Sequence, residues 1–170
     1  MVVQRSYPTR SGSTGGCETL LPRRRKDAVI GFMSTSQTAY DYEREWPLAG
    51  VLLLTDDTFD AALKSDDGRG WRPSLVMFYV PWCGHCKRAA PALGELAKMV
   101  RLQNFERKLS RRPFVVAAVN AETNPALSAR YEVKGYPTIL LFSGDPAKQS
   151  PQPYGGPRTA NAMWEALAAL

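Results

Sequence analysis

LVMFYVPWCGHCKRAAPALGELAKMV, residues 75–100, sets three patterns end to end: an unbroken apolar run, two cysteines separated by two residues, and apolar positions at helical spacing. Leu75–Val80 has the continuous apolar character of a central strand covered on both faces. Beyond the cysteines, Ala89, Leu93, Leu96 and Val100 fall on one stripe of a helix, with Pro91 and Gly94 predicting a kink. The cysteine pair therefore stands where a central strand hands over to a long helix.

Working outward, the same alternation continues. VLLLT (51–55) reads as a strand. TDDTFDAALK follows as a helix with Thr55 or Asp56 as N-cap, and SDDGRGWRP as a turn-rich loop. Downstream, PFVVAAVNA is a buried strand, NPALSARYEV a short helix with Pro125 in its first turn, TILLFSG a strand, and RTANAMWEALAAL a closing amphipathic helix. From Val51 the order is β-α-β-α-β-α-β-(β)-α, an α/β chain with a central mixed sheet flanked by helices on both faces. Residues 1–30 are rich in Ser, Thr, Gly, Pro and Arg without periodicity and read as a disordered basic tail. Residues 31–50 carry four aromatics but no clear face, and read as a linker or the remnant of a preceding domain. Residues 51–170 are the expected folded domain.

With 170 residues and 44% apolar content, the chain is long enough to bury one sizeable core without relying on disulfides. The net charge of +6 resides partly in Arg23–Lys26 and in Arg107, Lys108, Arg111 and Arg112. Neither cluster has the interleaved aromatics or motif of a nucleic-acid binder, so solvated charge is the simpler reading and no nucleic-acid partner is expected. No stretch reaches the roughly 18–20 apolar residues of a membrane span.

The chemistry centres on Cys83 and Cys86. Cys83 is placed at a helix N-terminus, where unpaired amides and the helix dipole stabilise a thiolate and His85 adds positive charge or a hydrogen bond. Cys83 is then the attacking sulfur. Cys86, one turn deeper, can resolve a mixed disulfide, and Gly84 leaves room for a substrate chain. Two other readings compete. Structural zinc takes four ligands, but the chain has three cysteines and one histidine, with His85 inside the pair and Cys17 far off in the tail; no metal is expected. A purely structural bridge over so short a ring constrains the unfolded chain little. Cys17 reads as an incidental free thiol.

FYVPWCGHCKRAAPALGELA, followed by VKGYPTILLFSG, resembles a catalytic thioredoxin-fold domain of the protein disulfide isomerase family, over about Val51–Leu170. VMFY and AAVN look closest to the disulfide-isomerase-related branch. The resemblance implies Cys83 as the substrate-attacking thiol, Cys86 as the resolving thiol, and His85 as the group that makes the disulfide oxidising. It implies Trp82 and Gly84 at the rim, Pro137 as a cis-proline facing the cysteines, and Gly135 and Tyr136 beside it for substrate. Lys134 stands where arginine is commoner, with a charge that favours the Cys86 thiolate. It also implies folding, cysteine-containing proteins as substrates, a redox partner protein, and no cofactor beyond the dithiol. A thiol–disulfide oxidoreductase or isomerase follows. A client-binding or chaperone module with a slow or idle redox site is the alternative, and a cytosolic reductant a third reading.

Two departures bear on rate. The family's buried acid, six residues before the first cysteine, is here Met77, and its lysine partner on the next strand is Ala118. With both gone, the usual proton acceptor for Cys86 is missing and slow resolution is expected. The resemblance implies the endoplasmic reticulum lumen, although no signal peptide precedes the domain and EALAAL lacks a retention tail. Those ends lead to the expectation of a fragment of a longer protein.

Overall fold

The computed structural model describes residues 42–65, 68, 70–106, 113–145, 147 and 150–170, all within one compact unit. The expected tail 1–30, Cys17, residues 31–41 of the expected linker, and the basic residues Arg107, Lys108, Arg111 and Arg112 lie outside them.

Five strands form one sheet: β1 (Leu52–Leu54), β2 (Ser74–Tyr79), β3 (Val115–Asn120), β4 (Thr138–Phe142) and β5 (Gln152–Pro153), in the order β1-β3-β2-β4-β5. β3 pairs parallel with β1 and β2, whereas β4 runs antiparallel to β2 and β5 antiparallel to β4. The sheet is therefore mixed, with β2 at its centre and every residue of β2 buried. Period-two alternation sends Leu75, Met77 and Tyr79 to one core and Val76 and Phe78 to the other. The first core is covered by α1 (Tyr42–Ala49), α3 (Gly84–Glu106) and α5 (Ala160–Ala168). The second is covered by α2 (Phe59–Leu63) and α4 (Pro125–Arg130), with Phe59, Phe142 and Tyr131 in mutual ring contact.

The expected stripe of α3 is the buried one: Ala89, Leu93, Leu96 and Val100 all face the first core. α3 continues through Pro91, although that residue has no N–H to donate to Lys87. On α5, the Thr159 hydroxyl accepts from the Ala162 amide, and Met163 and Leu167 are buried.

Two local readings are corrected. Residues 42–49, assigned to the linker, form α1, and Tyr42 and Trp46 belong to the first core. The expected boundary at Val51 thus falls one helix inside the packed unit. Thr58 is the N-cap of α2, rather than Thr55 or Asp56. The Asp56 carboxylate instead accepts the amides of Leu127 (3.0 Å) and Ala126 (3.4 Å) at the start of α4, while its own amide donates to Asn124 Oδ1 (2.9 Å). The acid that sequence proximity assigns to one helix satisfies the free donors of another. Among the described residues no helix is long and apolar enough to cross a membrane.

Candidate active site

β2 ends at Tyr79, and a turn closed by the Cys83 amide on the Val80 carbonyl (3.1 Å) leads into α3. α3 begins at Gly84, and the Cys83 carbonyl accepts from the Lys87 amide (3.0 Å), so Cys83 holds the N-cap place that the strand-to-helix junction predicts. Its Sγ lies where an N-cap oxygen would, taking hydrogen bonds from the Cys86 and His85 amides and from the Cys86 thiol. Burial works to raise the Cys83 thiol, but those donors and the Arg88 charge outweigh it and bring the thiol below its ordinary value.

Cys86 contrasts with it. Cys83 keeps 9% of its surface exposed and Cys86 only 1%; both carry free thiols. Burial pushes the Cys86 thiol well up. The Val80 amide, bonded to its sulfur, pulls the other way, Cys83 adds to the rise, and the Arg158 charge opposes it. One thiol is acidic and keeps a small exposed surface, the other is hidden and held protonated.

The second wall of the site comes from the loop before β4. The Tyr136–Pro137 peptide is cis, as the resemblance implies, and Pro137 is buried. The Cys83 thiol donates to the Tyr136 carbonyl at 3.5 Å. Gly135 is exposed, and its carbonyl accepts from the Thr138 hydroxyl (2.7 Å). On the rim, Trp82 is 67% exposed, its indole N–H donating to Glu122 Oε1 at 2.7 Å. Gly84 is exposed, and a Cβ there would meet only Arg88, at 3.7 Å. Exposed His85 accepts from the Arg88 guanidinium at Nδ1 (2.8 Å), which, because guanidinium only donates, puts the proton of a neutral ring on Nε2. Lys134 is exposed on the loop before Pro137, and the field of Arg158 favours the Cys86 thiolate.

Met77 and Ala118 are direct register partners and both fully buried, so an apolar pair stands where the resemblance implies an acid and a lysine. One strand position nearer the motif on that face, the Tyr79 hydroxyl donates to Glu43 Oε1 of α1 (2.8 Å). Tyr42 of the same helix donates to the Pro81 carbonyl (3.0 Å), and Trp46 donates to the Ala90 carbonyl in α3 (3.0 Å). Arg88, Arg158 and Glu43 went unnoticed in the sequence. Arg88 had a signal, its spacing of three from His85 on a helix; Arg158 and Glu43 reach the site only through the fold. Among the described residues, no group of three or more His, Cys, Asp or Glu side chains converges as a metal site would.

Comparison with known proteins finds relatives by sequence and by structure. A protein disulfide-isomerase A6 homolog of Drosophila melanogaster is 38% identical over 123 residues, 72% of this chain and 25% of that protein. Protein disulfide-isomerase A6 of Mus musculus is 42% identical over 110 residues, 64% of this chain and 22% of that protein. The chain thus spans about a quarter of the length of these curated relatives. Among solved structures, the first thioredoxin domain of mouse protein disulfide-isomerase A4 aligns with a TM-score of 0.55 and 30% identity, over 71% of this chain and 75% of that one. The thioredoxin family model matches residues 50–169, a span that takes in the five described strands, Cys83 and Cys86, and the chain belongs to that family.

Proposed function

We propose that the chain is a thiol–disulfide oxidoreductase that forms, reduces or rearranges disulfides in folding, cysteine-containing proteins. It would work through Cys83 and Cys86 with no cofactor beyond that dithiol. The observation that carries this is the Cys83 sulfur at the N-cap of α3, aimed at by two amides, with Cys86 buried behind it. In the reducing direction the Cys83 thiolate attacks one sulfur of a substrate disulfide, and the other leaves as a thiolate. Deprotonated Cys86 then attacks Cys83 Sγ; the mixed disulfide breaks, the second substrate sulfur leaves, and two electrons have passed from the dithiol to the substrate. The reverse sequence oxidises a substrate dithiol, after which a redox partner protein restores the disulfide.

In this reading Trp82, Gly84, Gly135 and Tyr136 receive the substrate segment beside Pro137. His85 and Arg88 tune the Cys83 thiolate, Arg158 eases ionisation of Cys86, and Lys134 adds charge at the rim. The endoplasmic reticulum lumen, where folding proteins acquire disulfides, suits this chemistry. The test is a trap. Cys86→Ser should accumulate mixed disulfides between Cys83 and unfolded thiol proteins, resolved on a non-reducing gel and absent when Cys83 is also replaced. A Cys86→Ser protein that captures nothing refutes the mechanism.

A second reading, a module that holds clients noncovalently while its dithiol is slow, is favoured by the apolar Met77–Ala118 pair. Client retention by a Cys83→Ala, Cys86→Ala protein would support it, and loss of retention would support the enzyme.

A further inference from the structure

Cys86 must lose a proton before it can attack Cys83, and the interior around it is poor in bases. Met77 and Ala118 are apolar, Arg158 carries charge but accepts no proton, and His85 lies on the exposed side with Nδ1 engaged by Arg88. The Val80 amide is bonded to the Cys86 sulfur, and the residue before it, Tyr79, shares the first core with Cys86. The Tyr79 ring is buried, yet its hydroxyl ends on Glu43, an exposed carboxylate, at 2.8 Å.

That contact is built rather than incidental. Tyr79 is held edge-on against Tyr42 (5.5 Å, 88°) and Trp46 (5.0 Å, 85°), and Trp46 is itself tied to α3 through the Ala90 carbonyl. α1 is thus fixed at both ends of the turn that carries Glu43. Beside the pair lies a pocket of about 210 Å³ lined by Glu43, Tyr79, Ala118 and Asn120. The short side chain of Ala118 forms part of its wall, and the pocket is roomy and polar enough for water.

We infer that Glu43, acting through the Tyr79 hydroxyl and water, takes the proton of Cys86 in place of the carboxylate absent at Met77. The inference rests on the exchange chemistry proposed above. In the resolving step the Cys86 S–H proton passes through water to the Tyr79 oxygen as the Tyr79 O–H proton moves to the Glu43 carboxylate. The Cys86 thiolate attacks Cys83 Sγ, the Cys83–substrate bond breaks, and its electron pair leaves on the substrate sulfur, which takes a proton from water. Glu43 then releases its proton to solvent. Tyr79 is neutral before and after, consistent with burial and the neighbouring Glu43 holding its phenol far above its ordinary value. Glu43 touches neither sulfur, so it is a positioning residue for the proton, not a catalytic one. The titratable groups facing this path are Tyr42 and Glu43 from α1, Cys83 and Cys86 at the start of α3, and Arg158 before α5; β3 offers only Ala118 and Asn120.

The experiment follows single turnovers of the reduced 170-residue chain with a peptide disulfide between pH 6 and 9, by acid quench and separation of the mixed disulfide. Glu43→Gln and Tyr79→Phe should each slow decay of the mixed disulfide about tenfold or more at pH 7. The deficit should shrink as pH rises and hydroxide replaces the relay, while iodoacetamide labels Cys83 at an unchanged rate. The double variant should be no slower than either single one, and Glu43→Asp should recover part of the rate. Glu43 is exposed and Tyr79→Phe removes one oxygen, so far-UV circular dichroism and melting check that the fold persists. An unchanged decay rate in either variant, or a deficit constant across pH, overturns the relay. A wild-type chain that forms no mixed disulfide at all overturns the exchange reading instead.

Discussion

Replacing Trp46 tests whether α1 belongs to the cooperative unit. The side chain is 0% exposed, packs against Tyr42 (4.8 Å) and Tyr79, and donates to the Ala90 carbonyl. A buried aromatic removes some 150–250 Å² from water, about 4–6 kcal/mol by area. Partial relaxation around the cavity brings the expected cost of Trp46→Ala to about 3–5 kcal/mol. Trp46→Phe keeps a ring but loses the indole donor, and should cost about 1–2 kcal/mol. Leu48→Ala is the control on the same helix: Leu48 is 75% exposed, and its loss should change stability by less than about 0.5 kcal/mol. Urea unfolding by far-UV circular dichroism reads all three, with the m-value expected to stay constant. Thermal midpoints should fall by on the order of 10–20 °C for the alanine variant. A loss below about 1 kcal/mol for Trp46→Ala, or equal losses at Trp46 and Leu48, would show that α1 is an appendage.

The two thiols predict a pH profile for the reduced protein. Cys83 lies below the ordinary thiol value of about 8.5, so between its folded value and 8.5 the unfolded chain binds the extra proton and stability rises with pH; this contribution is lost as pH falls through the folded value. Cys86 lies above, so from about 8.5 upward the folded chain binds the extra proton and stability falls. Denaturation midpoints of the reduced protein should therefore pass through a maximum near pH 8.5, and the profile should flatten in Cys83→Ala, Cys86→Ala; a profile unchanged by those substitutions refutes the assignment. Met77→Glu alone puts a carboxyl into an apolar core and should destabilise by several kcal/mol at pH 8, less at pH 5 where it is neutral. Adding Ala118→Lys, its register partner, should recover part of that loss and speed dithiol turnover; a folded double variant with an unchanged rate would show that the missing pair does not limit exchange.

The sheet and its helices were legible because each core face writes its own period into the sequence: Val115, Ala117 and Val119 alternate with Val116 and Ala118 between two cores. The site was legible where its geometry is local. Cys83, Cys86 and their helix N-terminus lie within one turn, and GYPT carried the opposing wall through a family pattern. α1 escaped because Pro47, a residue that argues against helix, lies inside an eight-residue helix whose buried Tyr42 and Trp46 make sense only against the first core. Arg158 is 72 positions from Cys86, and an arginine in the loop just before the N-cap of α5 has no periodicity to betray it. Asp56 misled for the opposite reason: an acid just before a helix is a good cap by local rules, but a stronger set of donors waits at Ala126 and Leu127.

That same Asp56 contact dates a step in assembly. It joins residues 70 and 71 positions apart, and closing a loop of that length costs about 4 kcal/mol of chain entropy. Two amide bonds to a carboxylate, at about 1.5–3 kcal/mol each, do little more than offset it. The first turn of α4 is therefore expected to gain from the contact once β1 and β3 have aligned side by side. The face of the sheet remote from the cysteines should be the last to close, and amide exchange at Ala126 and Leu127 should report its opening before the central strand loosens.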